Sequence, residues 1–411
     1  MTTCVASAPR TDRVHPRDVG LSPGGLSRIG DVIAARVADG SITGAVTLVA
    51  RHGCIAHAEA HGAMDRESKR PMARDALFRI ASMTKPIAAA AALILADRGA
   101  LDVEDPVSRF IPELGSVRVA MRASARDASP PALVTLVPAD RPISVRHLLT
   151  HTSGLMSRGP GHAFGEPLLA ERHSQTLAAL IPRLCGVPLD FHPGTRWAYS
   201  GLAGPDVLGR IVEVVSGEPF DRFLRTKIFD PLGMHDTCFY PSAAQRRRLV
   251  TLYQRDGDRV VRDPNQDGRF SSPTYFSAGA GLISTAGDYL RFALMLLNGG
   301  ILGGQRVLSP DSVAAMTTNQ VGDLIASGHA RTTKGSQGFG YLTSVMLDPA
   351  AARRRATRGS FGSHGMYGTQ IWVEPSLDLV TVLMTQEPHD QLERDLEDIV
   401  MGSVVDAAGV R

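Results

Sequence analysis

Apolar residues recur at helical spacing early in the chain, at Leu26, Ile29, Ile33 and Val37. This predicts an amphipathic helix over residues 23–39, with Ser22 as its N-cap. The pattern then changes: residues 45–50 and 55–60 read as two strands joined by a turn at His52-Gly53. Phe78-Arg79-Ile80-Ala81 leads into residues 82–98, an alanine-rich run of good helix propensity. Its one breaker, Pro86, falls in the first turn if the helix begins at Ser82, where proline is tolerated. From about residue 105 to 276 short helical segments, 172–184, 203–215 and 220–229, alternate with Pro/Gly-rich loops. A further helix is expected over 284–297, capped by Ser284 or Thr285. Two strands, 369–373 and 379–385, follow around a turn at Pro375-Ser376-Leu377-Asp378, and a last helix covers 390–407.

Strands near both ends with helices between them predict an α/β fold completed by both termini, with a mainly helical insertion. The expected divisions are a tail at 1–20, an α/β part at 21–105, a helical insert at 106–276, and a second α/β part at 277–411. With 43% apolar residues, a chain of 411 can bury a large core. A formal net charge of +3 is small for this length and points to neither nucleic acid nor a membrane surface as partner. The one dense basic run, Arg353-Arg354-Arg355 with Arg358, reads as a solvated loop. The first 18 residues carry two prolines and several charges without an apolar stretch, so no signal peptide is expected. No run approaches the ~18 apolar residues of a membrane span. Cys4, Cys54, Cys185 and Cys238 are scattered, with no CxxC pair and no zinc spacing. A reduced, cytoplasmic protein without a metal or organic cofactor is the expectation.

Candidate chemistry begins at Ser82-Met83-Thr84-Lys85. On a helix, positions i and i+3 share a face, so the hydroxyl and the amine can meet. A serine hydroxyl needs a neighbouring base to become a nucleophile. Lysine can exchange that proton, and arginine cannot. The choice is informative because nearly every cation here is arginine; the lysines are Lys69, Lys85, Lys227 and Lys334. The motif alone is weak, since SxxK arises readily by chance. A second element is Trp197-Ala198-Tyr199-Ser200-Gly201, after the turn signal Pro193-Gly194. Its tyrosine could share a proton network with Ser82 and Lys85, although taken alone it reads as a core tyrosine. A third is Phe361-Gly362-Ser363-His364-Gly365-Met366-Tyr367-Gly368-Thr369, where glycine permits close backbone approach to a ligand.

Together these three elements resemble the serine β-lactamase and penicillin-binding-protein superfamily, in its class C-like branch and most like family VIII carboxylesterases. The text between them resembles that branch too. Examples are His147-Leu148-Leu149-Thr150-His151-Thr152-Ser153-Gly154-Leu155, Phe191-His192-Pro193-Gly194, Ile228-Phe229-Asp230-Pro231-Leu232-Gly233-Met234 and Gly281-Leu282-Ile283-Ser284-Thr285-Ala286. The likeness runs in order over roughly residues 20 to 390. It implies an antiparallel sheet flanked by helices, with the site between that domain and the helical insert. It implies Ser82 as the acylated nucleophile, Lys85 as its proton-accepting neighbour, and Tyr199 as general base and acid. It implies an oxyanion hole from the backbone N–H groups of Ser82 and Met366, with Ser363, His364, Gly365 and Gly201 binding substrate. Two positions depart from the lactamase and peptidase pattern. Ser363 stands where that pattern has lysine, which holds a substrate carboxylate, and Gly201 where it has asparagine, which contacts a substrate amide. Both departures favour small-molecule esters. A β-lactamase or D-amino-acid peptidase, an acyltransferase, and a non-catalytic binding module are the rivals.

Other motifs are set aside. Gly20-Leu21-Ser22-Pro23-Gly24 matches the nucleophile-elbow pattern, but no strand precedes it and Ser22 reads as a helix cap. His147 and His151 stand four apart, as two metal ligands on a helix would, but no Glu follows His147 to make a zinc-protease motif. Thr333-Lys334-Gly335 has the wrong order for a Lys-Thr-Gly strand.

Overall fold

In the computed structural model, which describes residues 10–122, 134–256, 259–270, 273–327, 335–387 and 389–405, Ser22 caps a helix as expected. Its Oγ accepts the Gly25 N–H at 3.2 Å and starts α1 (Pro23–Ala38), which buries Leu26, Ile29 and Ile33. A short strand, β1 (Arg10–Arg13), precedes it, and the hairpin of β2 (Gly44–Arg51) and β3 (Cys54–Asp65) follows. Two residues, β4 (Arg70–Pro71), pair with the end of β3.

The sheet is completed from the far end of the chain by β5 (Gln337–Phe339), β6 (Ser344–Met346), β7 (Phe361–His364), β8 (Gln370–Glu374) and β9 (Leu379–Met384). Its order is β1-β3-β2-β9-β8-β7-β6-β5, antiparallel throughout except for the β1–β3 pair. β9 therefore docks against β2, in register from Val46↔Met384 to Arg51↔Leu379. Strand alternation sorts the two faces. Val46, Leu48, Ala50, Val380, Val382 and Met384 join the large core, whereas Ala45, Val49, Leu379 and Leu383 join a second cluster with α1 and the C-terminal helix.

Three further long helices frame the site. In α2 (Thr84–Asp97) every position from Thr84 to Leu95 is buried, as expected of a helix that is apolar on all sides. The others are α3 (Ala203–Ser216) and α4 (Ala286–Leu297), the latter capped by Thr285. α5 (Asp390–Gly402) packs beside α1 on the other face of the sheet. Among the described residues no helix is long and apolar enough to cross a membrane.

Several elements differ from expectation for local reasons. The helix expected from Ser82 begins at Thr84, because Ala81 takes a left-handed φ of 43° and residues Ala81–Met83 form a 3-10 turn. Ser284 does not cap α4; it pairs with Phe78 in a two-residue strand. The stretch 172–184 breaks into a 3-10 turn, a helix at Leu177–Leu180 capped by Thr176, and a second 3-10 turn containing Pro182. Two small hairpins, Arg118–Arg122 with Val134–Pro138 and Tyr253–Asp256 with Arg259–Arg262, lie where only helices and loops were expected. Arg354 is not a solvated loop residue: its Nε donates to Glu397 of α5 at 2.9 Å. Thr333 and Lys334 lie outside the described residues.

Candidate active site

Ser82 sits in the 3-10 turn that enters α2, at the end of the helix where unpaired N–H groups and the dipole favour negative charge. The preceding Ala81 holds a backbone conformation that a residue with a Cβ adopts at a cost, a form of strain found at functional turns. Lys85, one turn on, is buried at 2% exposure. Its Nζ donates to Ser82 Oγ at 3.1 Å and to the Gly279 carbonyl at 2.7 Å. The Tyr199 hydroxyl donates to Ser82 Oγ at 2.8 Å, and Lys85 Nζ lies 4.9 Å from the Tyr199 ring centroid. One oxygen thus has an amine and a phenol within hydrogen-bond reach. Tyr199 remains 40% exposed, so this oxygen lies at an open surface and not in a sealed core.

Tyr199 is held from behind by His151. The His151 ring packs tilted against the Tyr199 ring with centroids 4.6 Å apart, its Nδ1 accepts the Ser200 N–H at 3.3 Å, and its carbonyl accepts the Ala198 N–H at 3.1 Å. Full burial, reinforced by the charge of Lys85, drives the imidazole well below its usual pKa and keeps it neutral. With Nδ1 accepting, the proton rests on Nε2, which is buried without a hydrogen-bond partner among the described residues, as is Trp197 Nε1 beside it. His147 does different work, exchanging hydrogen bonds with Ser144 in a capping box. The two histidines are structural supports of separate elements.

The third segment reaches Ser82 through a close approach. Gly365 follows β7, and a Cβ there would lie 2.4 Å from the Ile80 carbonyl oxygen and 2.3 Å from Thr369 Oγ1. Only glycine lets the Gly365-Met366 backbone come this near the turn that carries Ser82. Met366 itself is 65% exposed, and His364 is exposed. Ser363 lines a small apolar cavity with Pro86, Tyr289 and Phe292, behind the strand. At Gly201 an added Cβ would find only Tyr199, at 3.9 Å, so the position opens onto free space.

Two participants were not found from the sequence. Gly279 supplies the carbonyl to Lys85, and Asp206 lies fully buried beneath it. Asp206 did carry a signal, since it is a carboxylate on a helix whose neighbours Val207, Leu208, Ile211 and Val212 are all apolar.

Fold and site together define a serine hydrolase of the β-lactamase architecture. A family model described as Beta-lactamase matches residues 29–405, and the chain belongs to that family. It is 39% identical over 365 residues to Protein Rv1367c of Mycobacterium tuberculosis, covering 85% of this chain and 87% of that one. It is 33% identical over 397 residues to Esterase EstB of Burkholderia gladioli, covering 90% and 92%. Among solved structures, EstCE1, described as a hydrolase with promiscuous acyltransferase activity, matches with a TM-score of 0.76. That match has 27% identity and covers 92% of this chain and 99% of the other.

Proposed function

We propose that this protein hydrolyses carboxylic esters of small molecules through an acyl-enzyme on Ser82. The observation that carries the reading is the contact of Ser82 Oγ with both Lys85 Nζ and the Tyr199 hydroxyl. In the proposed cycle Tyr199, as phenolate beside the Lys85 ammonium, takes the Ser82 proton while Oγ bonds to the ester carbonyl carbon. The oxyanion is received by the N–H groups of Ser82 and Met366, at the helix entrance and beside the Gly365 approach. Tyr199 then protonates the departing alkoxide as the C–O bond breaks. Water adds to the acyl-enzyme by the reverse use of the same groups, and the proton returns to Ser82. Only groups of the chain itself are used.

Esters are favoured over lactams and peptides because Gly201 offers no amide-contacting side chain, while Ser363 and His364 replace the first two residues of the Lys-Thr-Gly pattern. The relative named as an esterase supports the choice. Transfer of the acyl group to an alcohol is the second reading, favoured by the description of EstCE1. The scattered cysteines, with no CxxC pair in the sequence, suit a cytoplasmic setting.

The test compares p-nitrophenyl esters of increasing chain length with nitrocefin and a D-alanyl amide, with and without an added alcohol. Fast lactam or amide turnover beside slow ester turnover would overturn the reading. A fluorophosphonate should label one residue, and Ser82→Ala should abolish the label.

A further inference from the structure

Asp206 occupies the first turn of α3 and has no exposed surface. A carboxylate there persists only where donors converge on it. Three do: the Tyr275 hydroxyl donates to Oδ2 at 2.8 Å, the Ser277 hydroxyl to Oδ1 at 2.8 Å, and the Gly279 N–H to Oδ1 at 2.9 Å. On balance the carboxyl is raised: burial is the largest cause, and these donors together with the charge of Lys85 oppose it. Burial and the neighbouring carboxylate hold the Tyr275 phenol far above its usual range, so it remains a donor.

The segment that covers Asp206 also holds Lys85. Lys85 Nζ donates to the Gly279 carbonyl, and the N–H of that same peptide group, on Ala280, donates to Ser277 Oγ at 3.3 Å. Ser277 in turn donates to Asp206. The chain of hydrogen bonds is unbroken from the amine, through one peptide unit and one hydroxyl, to a buried carboxylate. In such a chain each bond polarises the next. Gly279 makes the approach possible, since a Cβ there would lie 2.9 Å from the Gly201 carbonyl oxygen and 3.0 Å from Leu202 Cα. The other titratable groups near Lys85 are Tyr199, packed against it, and His151, which is held neutral.

We propose that Asp206 is a positioning residue for Lys85: linked to it through Ser277 and the Gly279–Ala280 peptide, it aims the amine at Ser82. The proposal rests on the reading of Ser82, Lys85 and Tyr199 as the reacting set. It explains why a carboxylate is buried in an otherwise apolar helix face with no charged partner in direct contact among the described residues.

Only four lysines occur in the chain, so [ε-13C]lysine NMR can follow Lys85 directly, its resonance being the one lost in Lys85→Arg. Asp206→Asn keeps the shape: the amide carbonyl accepts from Ser277 and Gly279, and the amide nitrogen donates to the Tyr275 hydroxyl. The expected result is a folded variant whose Lys85 signal titrates at lower pH than in the parent. The kcat for ester hydrolysis should fall while KM stays near the parent value. Ser277→Ala, which cuts the relay but keeps the carboxylate, should move the titration less and in the same direction. It carries the test if Asp206→Asn does not fold. A Lys85 titration identical in the parent and in the folded variants overturns the proposal, even if activity is lost. Fluorophosphonate labelling of the parent reports separately on the reacting set: no label at Ser82 removes the reading on which the proposal rests, whatever the lysine signals do.

Discussion

Ser82 Oγ meets an amine and a phenol, and the two are not interchangeable. An arginine at position 85 keeps a positive charge but does not fit the compact contacts with Ser82 and Gly279. Lys85→Arg should therefore be nearly as inactive as Lys85→Ala in ester hydrolysis, and substantial turnover would show that a compact ammonium beside Ser82 is not required. Tyr199→Phe keeps the ring that packs on His151 and loses only the hydroxyl. Its kcat should drop by about 10²–10⁴, the usual range for a general acid–base group, with the unfolding midpoint unchanged. Equal activity in that variant would move the base elsewhere. Gly201→Asn tests specificity: the space beyond Gly201 is open, so the variant should fold normally. The ratio of nitrocefin to ester turnover should rise; an unchanged ratio means that position 201 does not select between them.

The elements that carry these residues tolerate change very unevenly, and glycines show this best. Gly365→Ala forces a Cβ against the Ile80 carbonyl, and such overpacking costs about 1–3 kcal/mol. Both stability and kcat should fall, because the hairpin after β7 moves away from Ser82. Gly24→Ala, in the first turn of α1 with nothing within contact distance, should instead stabilise by roughly 0.5–1 kcal/mol. Thermal unfolding of the two variants gives the comparison, and a neutral Gly365→Ala would contradict the close approach. Much at this scale was legible beforehand, wherever local chemistry decides the conformation. Ser22 and Thr285 announce their helices, and the spacing of Ser82 and Lys85 announces their contact. What could not be read depends on distant partners. The turn at Ala81–Met83 and the loss of Ser284 to a strand with Phe78 are imposed by packing. The contact of Lys85 with Gly279, 194 positions away, is set by tertiary structure alone.

At the scale of the whole molecule, the face of the sheet opposite the site sets an acid limit on stability. His57 on β3 is buried at 6% exposure, bonded through Nε2 to Thr47 Oγ1 at 2.8 Å, and burial pushes it down to about 4, against an opposing pull from Glu59. The folded value lies below the unfolded one of about 6.5, so the unfolded chain binds the extra proton between them. The contribution is therefore complete above about pH 6.5 and lost as pH falls through about 4, amounting to about 3 kcal/mol. His151, also depressed, adds loss of the same sign. In urea unfolding at pH 7.5 and 4.5, His57→Gln should lose less stability on acidification than the parent; equal losses would rule His57 out. The sheet order has a further consequence, in the time domain of synthesis. β2 pairs with β3 on one side and with β9 on the other, and Leu379 follows its partner Arg51 by 328 positions. At about 5–20 residues per second a ribosome needs roughly 15 to 65 s to make that interval. Throughout it, one edge of a strand apolar on both faces waits unpaired, the arrangement most prone to aggregate. Chains released early, before β9 is made, should therefore collect in the insoluble fraction.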